Sequence, residues 1–475
     1  MSLIQENVSR LKAAFAIQKT AFAEDSYPSL DTRLERISTL SRMLVENRLA
    51  FQTALADDFG SHPSRLVDLM ETGPVIARAK YYAKNLGEWM LPRREELGPE
   101  HGSSVGQVLQ LPKGVCGNIS PWNFPVESAL IMCIDMMAAG NRVIVKPSEM
   151  APATAQALEG FIAKYFEPDL LTIIQGGPEL ASTFASMPWD HLTFTGSPRI
   201  GKLVLQAAAE NMVPVTLELG GKNPALFAPD GVTDELIKLF LSFRTLKSGQ
   251  VCTSPDYVLV QEDLVDTWVE KAGKIWKQAY PSYVGHSDIT GIINAAHYRR
   301  IMAYIDEAND NDIRVVSLNG DEANPETRQI PLSLIVNPSK DMACMTDEIF
   351  GPVIPVVPYT DISKAIADIN AGPSPLASYI ATNDSTLSQK FVTTVRSGGS
   401  AINNFGIQGG HVALPFGGFG ASGQGCHSGK EGFLNYTHTK SVFFGASDSM
   451  VHQVLSPPLS ELTKFASDGV YQTEE

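Results

Sequence analysis

The chain has 475 residues, of which 44% are hydrophobic and 19% charged, and its 37 basic and 52 acidic side chains leave a net charge of -15. That length exceeds one ordinary core and predicts two or three domains with an ordinary globular balance. The acid excess disfavours nonspecific contact with nucleic acid or an anionic membrane, so neither is expected as a partner.

Five cysteines stand at Cys116, Cys133, Cys252, Cys344 and Cys426, without a CxxC or a regular spacing. An odd, scattered set argues against a disulfide framework and for a reducing cytoplasm. No metal site is expected. The opening Met1-Ser2-Leu3-Ile4-Gln5-Glu6-Asn7 lacks a basic-then-apolar signal pattern. The apolar run 129–134 is broken by Asp135 and is too short to span a bilayer. Residues 468–475 are polar, so no C-terminal anchor is expected either.

In chain order, residues 8–60 show apolar positions at three- and four-residue spacing and read as helices. Residues 65–90 read as one long helix ending before Pro92, and 106–111 as a strand. A strand–helix rhythm then begins, with strands at 115–119, 142–146, 171–175, 191–195 and 213–219, and helices at 151–166 and 198–211. This alternation predicts an α/β fold with a parallel sheet covered on both faces, and ligands beyond the carboxyl ends of its strands. A second α/β run follows from about 222 to 420, with strands near 256–261, 353–357, 378–381 and 400–402. Residues 319–327 read as a surface loop. The final strand candidate, 439–444, is expected to pair with 106–111 or with another subunit's sheet.

The strand ends carry the chemistry. Pro121-Trp122-Asn123-Phe124-Pro125 follows the first strand. Asn123 there can donate to a developing oxyanion, or the motif is a structural turn. Lys146-Pro147-Ser148-Glu149 ends the second strand; Lys146 and Glu149 suit ribose hydroxyls, and Ser148 could instead cap a helix. Gly196-Ser197 opens a helix whose free N–H groups suit a pyrophosphate, although any βα turn could look alike. Glu218 ends the fifth strand beside Leu217 and Leu219, where partial desolvation would tune it as a general base, or it is an exposed strand-end carboxylate. Cys252, in Gly249-Gln250-Val251-Cys252, is either a loop nucleophile or a buried small hydrophobe. Glu348-Ile349-Phe350-Gly351-Pro352 could hold a ribose through Glu348 and pack Phe350 on a nicotinamide, or be a simple strand entry. The glycine-rich 415–423 segment reads as a tightly packed bend.

Taken in order, Pro-Trp-Asn, Lys-Pro-Ser-Glu, Phe-Thr-Gly-Ser, Glu-Leu-Gly-Gly-Lys, Gly-Gln-x-Cys, Glu-x-Phe-Gly-Pro and Pro-Phe-Gly-Gly resemble the aldehyde dehydrogenase superfamily over residues 8 to 445. Asp58-Phe59-Gly60, residues 89–94 and Pro255-Asp256-Tyr257-Val258 resemble its class 3 and coniferyl aldehyde branch. The resemblance implies a Rossmann-like cofactor domain (1–89 and 113–220), an α/β catalytic domain (221–425), a small β bridging and oligomerisation element (90–112 with 434–445) and a tail (446–475).

It implies Cys252 as nucleophile, Asn123 as oxyanion donor and Glu218 as the base that releases the acid. For the cofactor, NAD with NADP as an alternative, it implies Lys146, Glu149, Gly196, Ser197, Trp122, Glu348 and Phe350. Phe124, Phe405 and His411 would line the substrate funnel and suit an aromatic or medium-chain aldehyde. A homodimer is implied, its last strand completing the partner's sheet. The branch more often has Asn-Ala before Gly-Gln; here Lys247-Ser248 stand there, which is expected to alter the acyl pocket or its edge. Two other readings are an acylating enzyme that passes its thioester to coenzyme A and a noncatalytic cofactor-binding relative.

Overall fold

The computed structural model describes residues 3–470. Three sheets organise the chain. The first has six strands, and five of them form its parallel part in the order Val215–Leu219, His191–Gly196, Val115–Ile119, Arg142–Lys146, Leu171–Ile173. These strands are almost wholly buried and rich in Val, Ile and Leu, as a sheet covered by helices on both faces requires. The sixth, Gly423–Gln424, returns from far along the chain and pairs antiparallel with Val215–Leu219, setting Gly423 opposite Glu218.

The second sheet has seven strands. Its parallel core runs Ser333–Val336, Val353–Tyr359, Tyr257–Gln261, Pro224–Phe227, Ala377–Ala381, Gly399–Ile402, with Arg314–Ser317 antiparallel at one edge. The third sheet is small: Arg93–Glu95, Val105–Pro112 and Thr437–Phe444. Thr437–Phe444 pairs antiparallel along the whole length of Val105–Pro112, the first of the two expected pairings.

Several elements differ from their reading in sequence. The strands Pro224–Phe227, Arg314–Ser317 and Ser333–Val336 were missed, being short runs without clear alternation. The expected continuous helix 65–90 is interrupted. Val67–Thr72 winds as a π-helix before Gly73–Trp89 resumes α geometry, and the Gly73 N–H closes a five-residue step onto Asp68 O. Ser148 does not cap the helix Pro152–Tyr165, whose N-cap position is Ala151. Instead the Asp58 carboxylate, distant in sequence, accepts from Ala153 N and Thr154 N at 2.9 Å each. The tail is not featureless: Met450–Leu455 and Glu461–Val470 are helical. Residues 471–475 of the polar end lie outside the described residues. Among the described residues no helix is long and apolar enough to cross a membrane, and no group of three or more His, Cys, Asp and Glu side chains is placed to hold a metal ion.

Candidate active site

A cavity of about 360 Å³ opens between the first two sheets, and Asn123, Glu218 and Cys252 all line it. Most of its wall is apolar, including Leu69, Met70, Ile131, Met132, Phe243 and Ile407. Phe124 and His411 also line it. Phe405 forms part of the wall but is fully buried, packed against Phe227 and Phe240 in the core of the seven-stranded sheet.

Cys252 rides on a loop fixed from several sides. Asn223 Nδ2 donates to Cys252 O at 2.7 Å and Ser254 O at 3.0 Å, while its Oδ1 accepts from Ala377 N. Arg244, fully buried, donates to Ser254 Oγ and to the carbonyls of Gly351 and Val353. Gln250 bridges Lys247 O and Gly291 O and accepts from Ile293 N. The thiol is partly exposed, whereas the other cysteines apart from Cys426 are buried. Burial within the cavity, reinforced by the carboxyls of Glu348, Glu127 and Glu218, pushes the Cys252 pKa well above the ordinary thiol value.

The three residues before Gln250 take left-handed backbone angles: φ is 49° at Lys247, 55° at Ser248 and 77° at Gly249. Glycine is required at the last, because a Cβ there would lie 2.6 Å from Gly351 O. Lysine and serine rarely adopt this region, and side-chain bonds hold them in it. Ser248 Oγ donates to Thr290 O at 2.5 Å. Lys247 does not itself line the cavity; it lies at its edge, completely buried against Asn123 and Phe124, which do. Its ammonium pairs with Glu71, donates to Asn123 O at 2.6 Å and sits 4.2 Å from the Phe124 ring centroid. Glu71 belongs to the π-helical turn and accepts from Val126 N and Glu127 N at the start of the helix Glu127–Ala138. One ion pair therefore ties the π-turn, the Asn123 loop and the nucleophile loop together. Local patterning could not reveal it, since Glu71 and Lys247 are far apart in sequence.

Asn123 is buried, and its Nδ2 donates to Gln250 O at 3.1 Å. A carboxamide carries two N–H donors, so the second remains for a ligand. Glu218 is 3% exposed, and neither carboxyl oxygen has a hydrogen-bond partner among the described residues. Burial raises its pKa well above the ordinary carboxylate value, only partly opposed by Arg78. Glu218 is thus not the exposed strand-end carboxylate of the alternative reading.

Trp122, Lys146, Glu149, Gly196 and Ser197 stand at the carboxyl ends of the parallel strands, where an open α/β sheet binds its ligand, whereas Glu348 and Phe350 come from the segment before Val353–Tyr359 of the seven-stranded sheet. Lys146 is buried and donates to Glu149 at 2.8 Å and to Pro147 O, while Glu149 stays half exposed. Ser197, exposed, precedes the helix Pro198–Ala209, whose first turn has no side-chain cap, and the nearby Thr195 Oγ1 is buried without a partner. Those open donors, with Gly196 at the turn, fit a dinucleotide phosphate. Trp122 packs against Phe350 and His297 at ring distances of 5.4 and 5.1 Å. Glu348 lies against Gly220, where a Cβ would meet its carboxyl oxygen at 2.1 Å. Burial, then repulsion from Asp256, lifts its pKa to about 8.

The model of the aldehyde dehydrogenase family matches residues 3–442. A probable coniferyl aldehyde dehydrogenase of Caulobacter vibrioides is 35% identical over 451 residues, covering 94% of this chain and 93% of its own. A dimeric, NADP-preferring aldehyde dehydrogenase of Canis lupus familiaris is 30% identical, covering 98% and 100%. The solved substrate-bound state of Staphylococcus aureus AldH superposes with a TM-score of 0.92 at 30% identity, covering 97% of this chain and 99% of that one. With these matches spanning nearly its full length, the chain belongs to the aldehyde dehydrogenase family and is an NAD(P)-dependent aldehyde dehydrogenase.

Proposed function

We propose that the enzyme oxidises an aromatic or medium-chain aldehyde to its carboxylic acid through covalent chemistry at Cys252. The observation that carries this reading is the convergence of Cys252, Asn123 and the unpartnered Glu218 on one apolar cavity. Cys252 Sγ adds to the carbonyl carbon as the C=O π bond breaks, and the thiol proton is released to solvent, leaving a thiohemiacetal oxyanion. The free N–H of Asn123 and the Cys252 amide, which donates to no other group among the described residues, stabilise the oxyanion. NAD(P), when bound, supplies the two-electron oxidant that leaves a thioester on Cys252. Glu218 then takes a proton from water, whose oxygen attacks the thioester and expels the thiol. Lys146 and Glu149 hold the adenosine ribose, Gly196 and Ser197 the pyrophosphate, and Glu348 with Phe350 and Trp122 the nicotinamide end. A carboxylate at Glu149 favours NAD.

The same reading assigns the six-stranded sheet to a cofactor domain, the seven-stranded sheet to a catalytic domain and the three-stranded sheet to a bridge. Thr437–Phe444 is an edge strand of that bridge with Phe443 and Phe444 exposed, which supports a homodimer formed along it. Free cysteines support a reducing cytoplasm.

The test is formation of reduced nicotinamide from a panel of aldehydes, with product acid quantified with and without coenzyme A. Acid formed at full rate without coenzyme A supports the reading; obligate dependence on coenzyme A overturns water as the acceptor.

Glu218 sets the pH dependence. Burial holds its carboxyl well above the ordinary carboxylate pKa, and only the carboxylate can act as base. Thioester hydrolysis is therefore expected to rise with pH over a range shifted upward from that of an ordinary carboxylate. Glu218→Gln should lower it by about 10²–10⁴-fold and flatten the profile, as read from single-turnover hydrolysis. Gly220→Ala should drive a Cβ into the Glu348 carboxyl and raise the Kd of NAD by about tenfold, measured by quenching of protein fluorescence, roughly the effect of one lost charge-assisted bond.

A further inference from the structure

We propose that Glu127 is a specificity-determining residue that selects aldehydes carrying a hydroxyl group remote from the carbonyl carbon. The inference rests on the aldehyde-oxidising reading of the Cys252 cavity.

Glu127 lines that cavity and is half-buried. It lies four residues after Asn123, beside the first turn of the helix, which Ser128 N closes onto Phe124 O at 2.9 Å. Asn123 and Glu127 line the same cavity of about 360 Å³, so a substrate whose carbonyl oxygen meets Asn123 shares that space with the Glu127 carboxyl.

The carboxyl is incompletely satisfied. Oε2 accepts from Ser128 Oγ at 3.0 Å, and no described residue donates to Oε1. Lys247 is committed elsewhere, and Arg78 in part, its Nε being buried without a partner among the described residues. Lys247 is bound to Glu71 and Asn123 O. Arg78 NH1 lies 3.1 Å from Asp135 Oδ2 and 3.0 Å from His427 Nδ1. Burial, partly offset by Arg78, lifts the Glu127 pKa to about 7. Near neutral pH it thus offers either an acceptor or a donor, and a hydroxyl matches both forms. An alkyl chain or a methyl ether covering Oε1 would take it out of water without supplying a donor, a penalty on the wrong substrate.

The rigid pair 4-hydroxybenzaldehyde and 4-methoxybenzaldehyde tests this, because the ring holds the para oxygen at a fixed distance from the carbonyl carbon. kcat/KM for each, with NAD, is read by fluorescence of reduced nicotinamide below the phenol's pKa in wild type, Glu127→Gln and Glu127→Leu. The ratio between substrates, compared across variants, cancels their intrinsic reactivity. The expected wild-type ratio exceeds that of Glu127→Leu by about 10–100-fold, the worth of one hydrogen bond to a charged group. Glu127→Gln, which keeps an acceptor and a donor, should retain most of the preference. Equal ratios in wild type and Glu127→Leu would overturn the proposal while leaving the dehydrogenase reading intact. An absence of turnover with every aldehyde in the wild type would overturn both.

Discussion

Cys252→Ala is expected to lower kcat/KM for aldehyde oxidation by at least about 10⁴-fold, the order of loss when an enzyme's covalent nucleophile is removed. The variant should keep its fold. The Cys252 loop is held by Asn223, Arg244 and Gln250 through backbone carbonyls and the Ser254 hydroxyl, not through the sulfur. NAD affinity should therefore stay within a few-fold of wild type, which separates lost chemistry from a lost site. Stopped-flow fluorescence supplies the rate and cofactor titration the affinity. Equal rates in the two proteins would exclude Cys252 as the nucleophile.

Lys247→Met should destabilise the folded chain by about 3–5 kcal/mol, because it strands the fully buried Glu71 carboxylate. Replacing both partners by apolar residues leaves no unpaired charge, so Lys247→Met with Glu71→Met should recover part of that loss, the Val126 and Glu127 amides left without their acceptor keeping the remainder. Urea unfolding of the two variants checks both statements. Activity should not recover in parallel. Without the ammonium, Asn123 O loses its donor and the left-handed nucleophile loop loses its anchor. A displacement of about 1 Å at the oxyanion donor is worth about 10²-fold in rate, so kcat should stay low in the more stable double variant while KM for NAD changes little. Stability and kcat recovering together would show that the pair only supports the fold.

Much of the site was legible because its residues sit at strand ends, and strand ends announce themselves. A short, largely apolar run stops at or near Lys146, Gly196 or Glu218, and turn residues follow. Cys252 was legible from its glycine and polar neighbours. The supporting structure was not. Glu71 and Lys247, or Asp58 and the helix it caps, meet only after the chain has folded. No local period encodes a contact between residues so far apart. The π-helical turn escaped for a related reason: its residues also occur in ordinary helices, and only its five-residue backbone step, Gly73 N onto Asp68 O, distinguishes it from α-helix. The Lys247 departure was visible, but its direction was not, since a lysine near a nucleophile can point into the cavity or pack at its edge.

The short strand Gly423–Gln424 has a consequence for how the protein is made. It covers the edge of Val215–Leu219, the strand that carries Glu218, and it is synthesised roughly 200 residues later. A ribosome adding about 5–20 residues per second takes about 10–40 s to deliver it. For that interval the nascent six-stranded sheet has an open edge of unpaired backbone groups, the kind of surface that recruits foreign strands. A chain terminated early within the second half would hold every residue of the cofactor site up to Glu218 yet lack the strand that closes it. The vulnerable moment in this enzyme's life is therefore expected during translation, and a holdase that shields β-edges would be of most use to it then.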